Sequence, residues 1–361
     1  MFLFLLKEIK VSFRKQKNKK VNLRQVQNLW ALQAVVCSFI WAIGERTNIM
    51  RKNDLFQRYY CKLICKIFVA GHSSQGENVI VVLYGDEEII YSCVVDSFIL
   101  NDRILPKDLL YAIGINHITD LFWTHPHDDH SNGILDLIEE FKPEAVYISS
   151  ELHTLPFDST SISSQVLEGI NKYKGYDRRF SYQPKIQGIA TNSTLYSEIL
   201  HVGSYNVPFE IFTIAPSSGK VRRNAIENRF SALNDYSIVI SINIGDFSVL
   251  LTGDVQNRMI TYANEDLYRE VPTPNILKIP HHGSNDSVDI MKLFSNDQPV
   301  DIAITTSKRT SNLPRNEAMQ YYNSHCHNIF KINPESEEVA VWGVEVNILE
   351  ATITQIVNKN F

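Results

Sequence analysis

The sequence predicts an α+β fold, a four-layer αββα sandwich in which two β-sheets pack face to face between outer helices. After about residue 60 the chain contains two β-rich halves, and helical segments follow each half. Several apolar runs end in polar loops, which such a sandwich would gather at one edge. A length of 361 residues with 44% hydrophobic residues is sufficient for a sizeable core.

The N-terminal part of the chain differs from the remainder. Residues 1–60 predict a helical extension, and residues 61–361 predict the main domain. Residues 29–43 form an apolar segment after a basic run at 14–20. As a helix this segment spans about 22 Å, less than the roughly 30 Å of a bilayer core, so a membrane span is not expected. A buried or partner-facing helix is one alternative, and an oligomer or peripheral membrane contact is the other.

The first half of the main domain predicts a β-meander and then a strand and a helix. The meander consists of the apolar runs CKIFVAG, NVIVVLYG and EIIYSCVVDSF, at residues 65–71, 78–85 and 88–98. ITDLFWTH (118–125) predicts a further strand. GILDLIEEFKP (133–143) has the apolar spacing of an amphipathic helix.

After the first half come a predicted strand, AVYIS, and a polar segment over residues 153–195, and the second half of the domain begins after them. Its predicted elements are a strand FEIFTIAP (209–216), a charged connection (217–235), a hairpin YSIVISINIGDFSVLLTGDV (236–255), a strand leading into PHHGSNDS (280–287), a strand DIAITT (301–306) and a helix AMQYYNSH (318–325).

Charge and cysteine content limit the possible partners and compartment. The formal net charge of −5 gives no general attraction to phosphate backbones, so a nucleic acid would need a local basic patch or metal ions. The five cysteines include no CxxC pair, which favours a reduced, cytoplasmic protein.

The stretch HPHDDH, directly after a predicted strand, is the main candidate for chemistry. Histidines two residues apart on an extended segment point to the same side, so His125 and His127 can share one ion. Asp129 and His130 can reach a second ion nearby, whereas Asp128 is expected to face solvent. The spacing therefore predicts a site for two divalent cations.

Two later strand ends supply matching side chains. Asp254 ends an apolar strand in VLLTGDV, and His281 and His282 follow a strand in LKIPHHGSNDS. A carboxylate between two histidine-rich loops suits a ligand that bridges two metals. A neighbouring histidine suits proton delivery to a leaving group.

These motifs resemble those of metallo-β-lactamase-fold hydrolases. The stretch THPHDDHSNG in this chain matches the HxHxDH signature of that superfamily in full. Within that superfamily the chain looks most like the hydrolase domain of ComEC-type DNA-uptake proteins and their stand-alone relatives. The closer resemblance rests on SQGENVIVV, VVDSF, NDYSIVISI with FSVLLTGD, and LKIPHHGSNDS, and it covers roughly residues 64–335.

The resemblance implies a metallo-β-lactamase-like hydrolase domain with two divalent ions, zinc or manganese, and a metal-bound hydroxide as nucleophile. The metal ligands that it implies are His125, His127, Asp129, His130, Asp254 and His281. The catalytic residues are Asp129, which could orient the hydroxide, and His281 and His282, either of which could be a ligand or a general acid. Asp96 would support the metal loop from the neighbouring strand.

The sequence departs from the family pattern at two positions. Many members have a third histidine before the bridging aspartate, where this chain has Asn234 and Asp235. Related proteins often have a histidine followed by proline near the C-terminal helix, and this chain has Pro314 without the histidine. The sequence therefore does not determine which residue is the last metal ligand or how many metal ions are bound.

The predicted function is a phosphodiesterase or nuclease acting on nucleic acid. The HHGS motif favours it, together with a basic stretch that could hold phosphates, which contains Lys220, Arg222, Arg223 and Arg229. One alternative is a hydrolase of a small ester, lactone or amide, which the acidic overall charge fits. The other is a component that docks on a protein partner through residues 1–60 and has a degenerate metal site.

Overall fold

A computed structural model gives the structure of the chain from residue 54 onward. It describes residues 54–155, 158, 160–173, 182–227, 232–294, 298–332 and 339–360. Asp54–Phe361 form one compact unit. The unit begins before the predicted boundary at residue 60, because Phe56 and Tyr60 are buried in its core. The predicted helical extension falls almost wholly on residues 1–53, outside the described residues, and stays a prediction.

Two eight-stranded sheets form the centre of the part of the chain that the structure describes. In chain order the strands are β1 (Tyr59–Tyr60), β2 (Leu63–His72), β3 (Gly76–Gly85), β4 (Glu88–Val95), β5 (Ile99–Leu100), β6 (Arg103–Ile104), β7 (Asp120–Trp123), β8 (Ala145–Ser149), β9 (Lys185–Ile189), β10 (Thr194–Val202), β11 (Tyr205–Ala215), β12 (Val239–Ile244), β13 (Phe247–Leu251), β14 (Ile276–Lys278), β15 (Val300–Thr306), β16 (Cys326–Ile332), β17 (Ala340–Asn347) and β18 (Thr352–Asn360). One sheet has the order β18-β17-β2-β3-β4-β7-β8-β9, and the other has the order β1-β10-β11-β12-β13-β14-β15-β16. Strands β5 and β6 pair separately.

Helices connect these strands. They are α1 (Leu105–Ala112), α2 (Asp128–Ser131), α3 (Ile134–Phe141), α4 (Ile162–Lys172), α5 (Ser218–Ile226), α6 (Asn257–Asp266) and α7 (Asn316–Asn323), and short 3₁₀ segments lie at Asp54–Gln57, Leu152–Thr154, Leu233–Tyr236, Pro280–Gly283, Asn285–Leu293 and Arg309–Ser311. Within the described ranges, no helix is long and apolar enough to cross a membrane. The apolar segment at 29–43 lies outside those ranges.

Side-chain alternation along the strands produces the four layers. In β2, Ile67 and Val69 lie in the core between the sheets, whereas Phe68 and Ala70 pack in the cluster that contains the helices. This alternation follows from the two-residue period of a strand that is covered on both faces. The metallo-β-lactamase fold predicted as an αββα sandwich is therefore confirmed.

One predicted connection is helical instead. The stretch predicted as a charged loop forms α5, because the Ser217 side chain accepts a hydrogen bond from the Lys220 backbone N–H at 3.2 Å and so caps the helix. Val221 and Asn224 face inward and are buried. Arg229 of the same basic stretch lies outside the described residues.

The strand directions bring the polar loops to one edge of the sandwich. Strands β4 and β7 are parallel in one sheet, and β13, β14 and β15 are parallel in the other. Strand β3 is antiparallel to β4, so β3 begins at the edge where β4 ends. Since the carboxyl ends of parallel strands meet at one edge, the loops that follow these strands can form a common site.

A buried ion pair connects the two sheets at this edge. Lys278 at the end of β14 donates to the Glu77 carboxylate near the start of β3, with Nζ and Oε1 2.7 Å apart. Their side chains are only 3% and 5% exposed. The pair therefore depends on the correct packing of one sheet on the other.

Replacing Lys278 by methionine is expected to destabilise the fold by about 3–5 kcal/mol, because Glu77 would remain as a buried charge without its partner. The double variant Lys278→Met/Glu77→Gln should lose less stability than the single variant. Urea denaturation, monitored by circular dichroism, measures the stability of both variants. Lys292→Met is the matched control, since Lys292 is a surface lysine paired with Asp289. Equal midpoints for Lys278→Met and the control would contradict this role of the pair.

Candidate metal centre

The HPHDDH loop is held by hydrogen bonds within its own turn. His127 has extended backbone angles, φ −96° and ψ 147°, and α2 begins directly after it. The Ser131 hydroxyl donates to the His127 carbonyl at 2.6 Å, and the Trp123 indole N–H donates to the Ser131 oxygen at 3.0 Å. The loop therefore turns at a defined position, and its imidazoles are directed toward the edge between the sheets.

Burial differs among the charged residues of this loop. The side chains of His125 and His130 are fully buried, and that of Asp129 is 16% exposed. His127 is half-buried. Asp128 is exposed, as predicted. Its carboxylate lies in the first turn of α2, where a negative charge is favourable.

Asp96, after β4, orients one of these imidazoles. Its carboxylate accepts hydrogen bonds from the Thr124 backbone N–H at 2.7 Å and from the Thr124 hydroxyl at 2.6 Å. His130 Nδ1 lies 2.7 Å from Asp96 Oδ2, the same oxygen that accepts from the Thr124 hydroxyl. This arrangement directs His130 Nε2 toward the centre, which is how outer partners usually fix a metal-binding histidine. Asp96 has a left-handed backbone with φ 60°, which an aspartate tolerates better than most residues.

Asp254, after β13, lies at the centre of the cluster. Its carboxylate oxygens are 3.6 Å from His130 Nε2, 3.8 Å from His125 Nε2, 3.9 Å from His282 Nε2 and 4.0 Å from His281 Nε2. Within the described part of the chain neither oxygen has a hydrogen-bond partner, although the side chain is buried.

The two histidines of PHHG point to different environments. Both have left-handed backbone angles, with φ 48° for His281 and 52° for His282. His282 is 2% exposed, and its Nδ1 lies 2.8 Å from the Thr306 hydroxyl. His281 is 21% exposed, and the Asn234 amide nitrogen lies 3.5 Å from its Nε2. His282 is therefore the inner histidine and His281 the outer one.

Three groups of buried or half-buried side chains could each hold a metal ion. They are Glu77, His130, Asp254 and His282; Asp96, His125 and His130; and His125, His127 and Asp254. In the first group, His130 Nε2, His282 Nε2 and both oxygens of Asp254 have no hydrogen-bond partner among the described residues. Buried polar atoms rarely stay without a partner, so these four atoms fit a cation. The groups contain His282 and do not contain His281 or Asp129.

Asp129 lies beside the first group and is bound by a lysine. Its Oδ2 is 3.8 Å from His130 Nε2 and 3.9 Å from His282 Nε2. The same oxygen accepts a hydrogen bond from Lys308 Nζ. A carboxylate in this position can still coordinate an ion at the two imidazoles while it holds the lysine.

The electrostatics of the cluster connect His130 with Asp254. Burial opposes the charged form of His130, but the negative charges of Asp254 and Asp96 raise its pKa well above the ordinary value. Burial likewise opposes ionisation of Asp254, but His130 and His282 hold its pKa well below the ordinary value. Burial lowers the pKa of His125 well below its usual range. A proton on His130 therefore balances Asp254, and a divalent ion could take its place.

Sequence reasoning did not identify four further residues at this edge. Glu77 and Lys278 form the buried ion pair, Thr306 donates to the Glu77 carboxylate, and Lys308 binds Asp129. Glu77 lies in the quoted motif SQGENVIVV and Lys278 in LKIPHHGSNDS, so both could have been found from those motifs. Lys308 has no comparable signal in the sequence.

The Asp96→Asn variant is expected to bind divalent ions about 10–100-fold more weakly, because the charge that orients His130 is lost. Competition of Zn²⁺ or Mn²⁺ against a chromophoric chelator measures the affinity. Asp102→Asn is the control, since Asp102 has a similar left-handed φ of 61° but is exposed. Unchanged affinity in Asp96→Asn would show that Asp96 does not support the site.

One family profile matches part of the chain. Residues 76–193 match the sequence profile described as Metallo-beta-lactamase superfamily. A search of curated proteins finds no match. A diphosphatase from the PhnP family is a similar solved structure, with 13% identity over 79% of this chain and 99% of that protein, and a TM-score of 0.38. A diiron β-hydroxylase from Streptomyces venezuelae, CmlA, has 12% identity over 72% of this chain and 40% of that protein, with a TM-score of 0.31.

Similarity at this level says nothing about activity, and the closer resemblance to ComEC-type proteins stays a prediction. The profile match lies on β3 through β9, which includes the HPHDDH loop. Together with the two-sheet sandwich, it shows a metallo-β-lactamase fold, and residues 76–193 are similar to that superfamily.

Proposed function

We propose that the chain is a metal-dependent phosphodiesterase or nuclease that acts on nucleic acid. The observation that carries this proposal is the convergence of four imidazoles on the buried Asp254 carboxylate at the edge between the two sheets. The resemblance of the PHHGSNDS loop to phosphodiester-cleaving relatives supports the substrate class. In this proposal the chain is an enzyme, and residues 1–60 are accessory to its activity.

The donor groups support two adjoining ions, zinc or manganese, with Asp254 shared between them. One position is surrounded by His130, His282 and Asp254, with Asp129 beside them. The other has the three donors His125, His127 and Asp254. Mixed imidazole and carboxylate donors suit either metal.

A bound divalent ion would supply an activated water at neutral pH and a Lewis acid for the charge that develops on phosphorus. The protein's own residues would position these reactants. Asp129, at the open side of the cluster, could accept a hydrogen bond from the attacking water. His281 is the outer histidine and could deliver a proton to the leaving oxygen, whereas the buried His282 suits a ligand.

Basic residues beside the cluster support a phosphate-containing substrate. The segment after β15 contains Lys308, Arg309 and Arg315, of which both arginines are exposed. The Arg309 N–H donates to the Ser73 carbonyl at 2.7 Å, and the Arg315 N–H donates to the Gly283 carbonyl at 3.0 Å. These bonds place the arginine backbone next to the loops that precede Glu77 and follow His282. Cations at such a rim attract phosphate backbones in spite of the acidic overall charge.

The purified chain is expected to cleave single-stranded DNA, double-stranded DNA, RNA or a chromogenic phosphodiester when Mn²⁺ or Zn²⁺ is present. The Asp254→Asn variant should lose more than about 100-fold in kcat/KM, since it removes the carboxylate shared by the donor groups. Gel assays and initial rates measure both effects. The control is His327→Ala, which changes an exposed histidine that is not part of the donor groups.

Two outcomes would count against the proposal. Absence of cleavage of all four substrates with either metal would exclude the phosphodiesterase assignment. Turnover restricted to small esters, lactones or amides, with the same dependence on Asp254, would instead establish the alternative hydrolase.

A further inference from the structure

We propose that Lys308 supplies one of the positive charges of the metal centre, so that the free protein binds one divalent ion firmly and a second only weakly. The inference rests on the proposed metal-dependent function and concerns how many ions the centre holds. It assigns a role to a residue that none of the sequence motifs contains.

The first observation is the position of the ammonium group. Lys308 Nζ binds the same Asp129 oxygen that lies within 4 Å of His130 Nε2 and His282 Nε2. The Lys308 side chain is 21% exposed, so most of it lies inside the protein. The lysine thus occupies a position next to the ion-binding atoms, not one on the open surface.

The second observation is that the backbone around Lys308 is fixed. Its N–H donates to the Leu313 carbonyl at 3.1 Å, and its carbonyl accepts from the Leu313 N–H at 3.0 Å. The preceding residue, Ser307, donates its N–H to the Ile332 carbonyl at 2.9 Å. A side chain that starts from an anchored backbone has less freedom to leave Asp129 than one on a mobile loop.

The third observation is that, among the described residues near Pro314, no histidine lies beside Asp129 where Lys308 lies. Pro314 has no histidine beside it, and the described histidines nearest to it on its C-terminal side are His325 and His327. His325 Nδ1 is bonded to the Tyr321 carbonyl at 2.8 Å, and His327 is exposed. Neither belongs to the donor groups. Lys308, which binds Asp129, supplies positive charge to the cluster from this part of the chain.

The charge balance of the centre indicates how many divalent ions it can hold firmly. Four carboxylates surround the centre, namely Glu77, Asp96, Asp129 and Asp254, and two lysines neutralise two of them, namely Lys278 and Lys308. With neutral histidines, two negative charges remain. One divalent ion balances them, whereas two such ions would leave two excess positive charges in a buried site. An excess of this kind is unfavourable where the effective dielectric constant is low.

The second, more weakly bound ion should be the one at the three-donor position. Among the described residues that position has two histidines, His125 and His127, and the chain has Asn234 where many superfamily members have a third. The four-residue position around His130 and His282 should fill first.

Equilibrium dialysis of the full chain against buffered Mn²⁺ or Zn²⁺, without phosphate, tests the proposal. Bound metal per chain is measured by mass spectrometry. Wild type should bind one ion firmly and the second at least about ten-fold more weakly. Lys308→Gln and Lys308→Met should tighten the second binding step on the order of ten-fold. Lys308→Arg keeps the charge, and Lys292→Gln changes a surface lysine. Both variants should leave the ratio of the first to the second metal affinity as it is in wild type.

The outcomes separate this inference from the proposed function. Two ions of equal affinity in wild type would overturn the role of Lys308, and so would an unchanged ratio in both neutral variants. Either result would leave the metal-dependent hydrolase intact. Absence of any bound ion would overturn the proposed function and this inference together.

Discussion

The buried carboxylate of Asp254 is the constraint on which the rest of the site depends. Neither of its oxygens has a hydrogen-bond partner among the described residues, and four imidazoles lie within 4.0 Å of it. A buried carboxylate without compensation destabilises a protein by several kcal/mol, so positive charge must lie beside it. The negative charges of Asp254 and Asp96 raise the pKa of His130 and so favour a proton there, and a divalent ion could supply the charge and give the imidazoles a partner as well.

The fold brings these groups together by using both sheets. Asp96 and the HPHDDH loop follow parallel strands of one sheet, and Asp254 follows a strand of the other. Gly76 permits the close approach of β3, since a Cβ at this position would lie 2.1 Å from the Asp129 carbonyl oxygen and its φ is 146°. Left-handed backbone at Asp96, His281 and His282 adds local strain at the same edge. Strain of this kind persists only where the surrounding structure enforces it, and it commonly marks functional sites.

Charge near the centre is supplied in pairs that span the sheets. Glu77 and Lys278 are separated by 201 residues in the sequence, and Asp129 and Lys308 by 179. Glu77 and Lys278 lie on strands of different sheets, and Asp129 and Lys308 lie in segments that follow strands of different sheets. Each lysine therefore places a positive charge beside a carboxylate of the candidate centre and connects groups that belong to, or follow, strands of different sheets.

The sequence by itself determined the sandwich, and it predicted most of the side chains that meet at the candidate centre. The apolar runs predicted the covered strands, and HPHDDH concentrates its histidines in one turn, so local geometry alone brings them together. Only the tertiary structure decided that His282 is the inner histidine and that Lys308 binds Asp129. Local spacing carries no information on contacts between residues so far apart, because these depend on how one sheet packs against the other. The charged stretch that forms α5 shows the same limit on a smaller scale, since the burial of Val221 became apparent only from its packing.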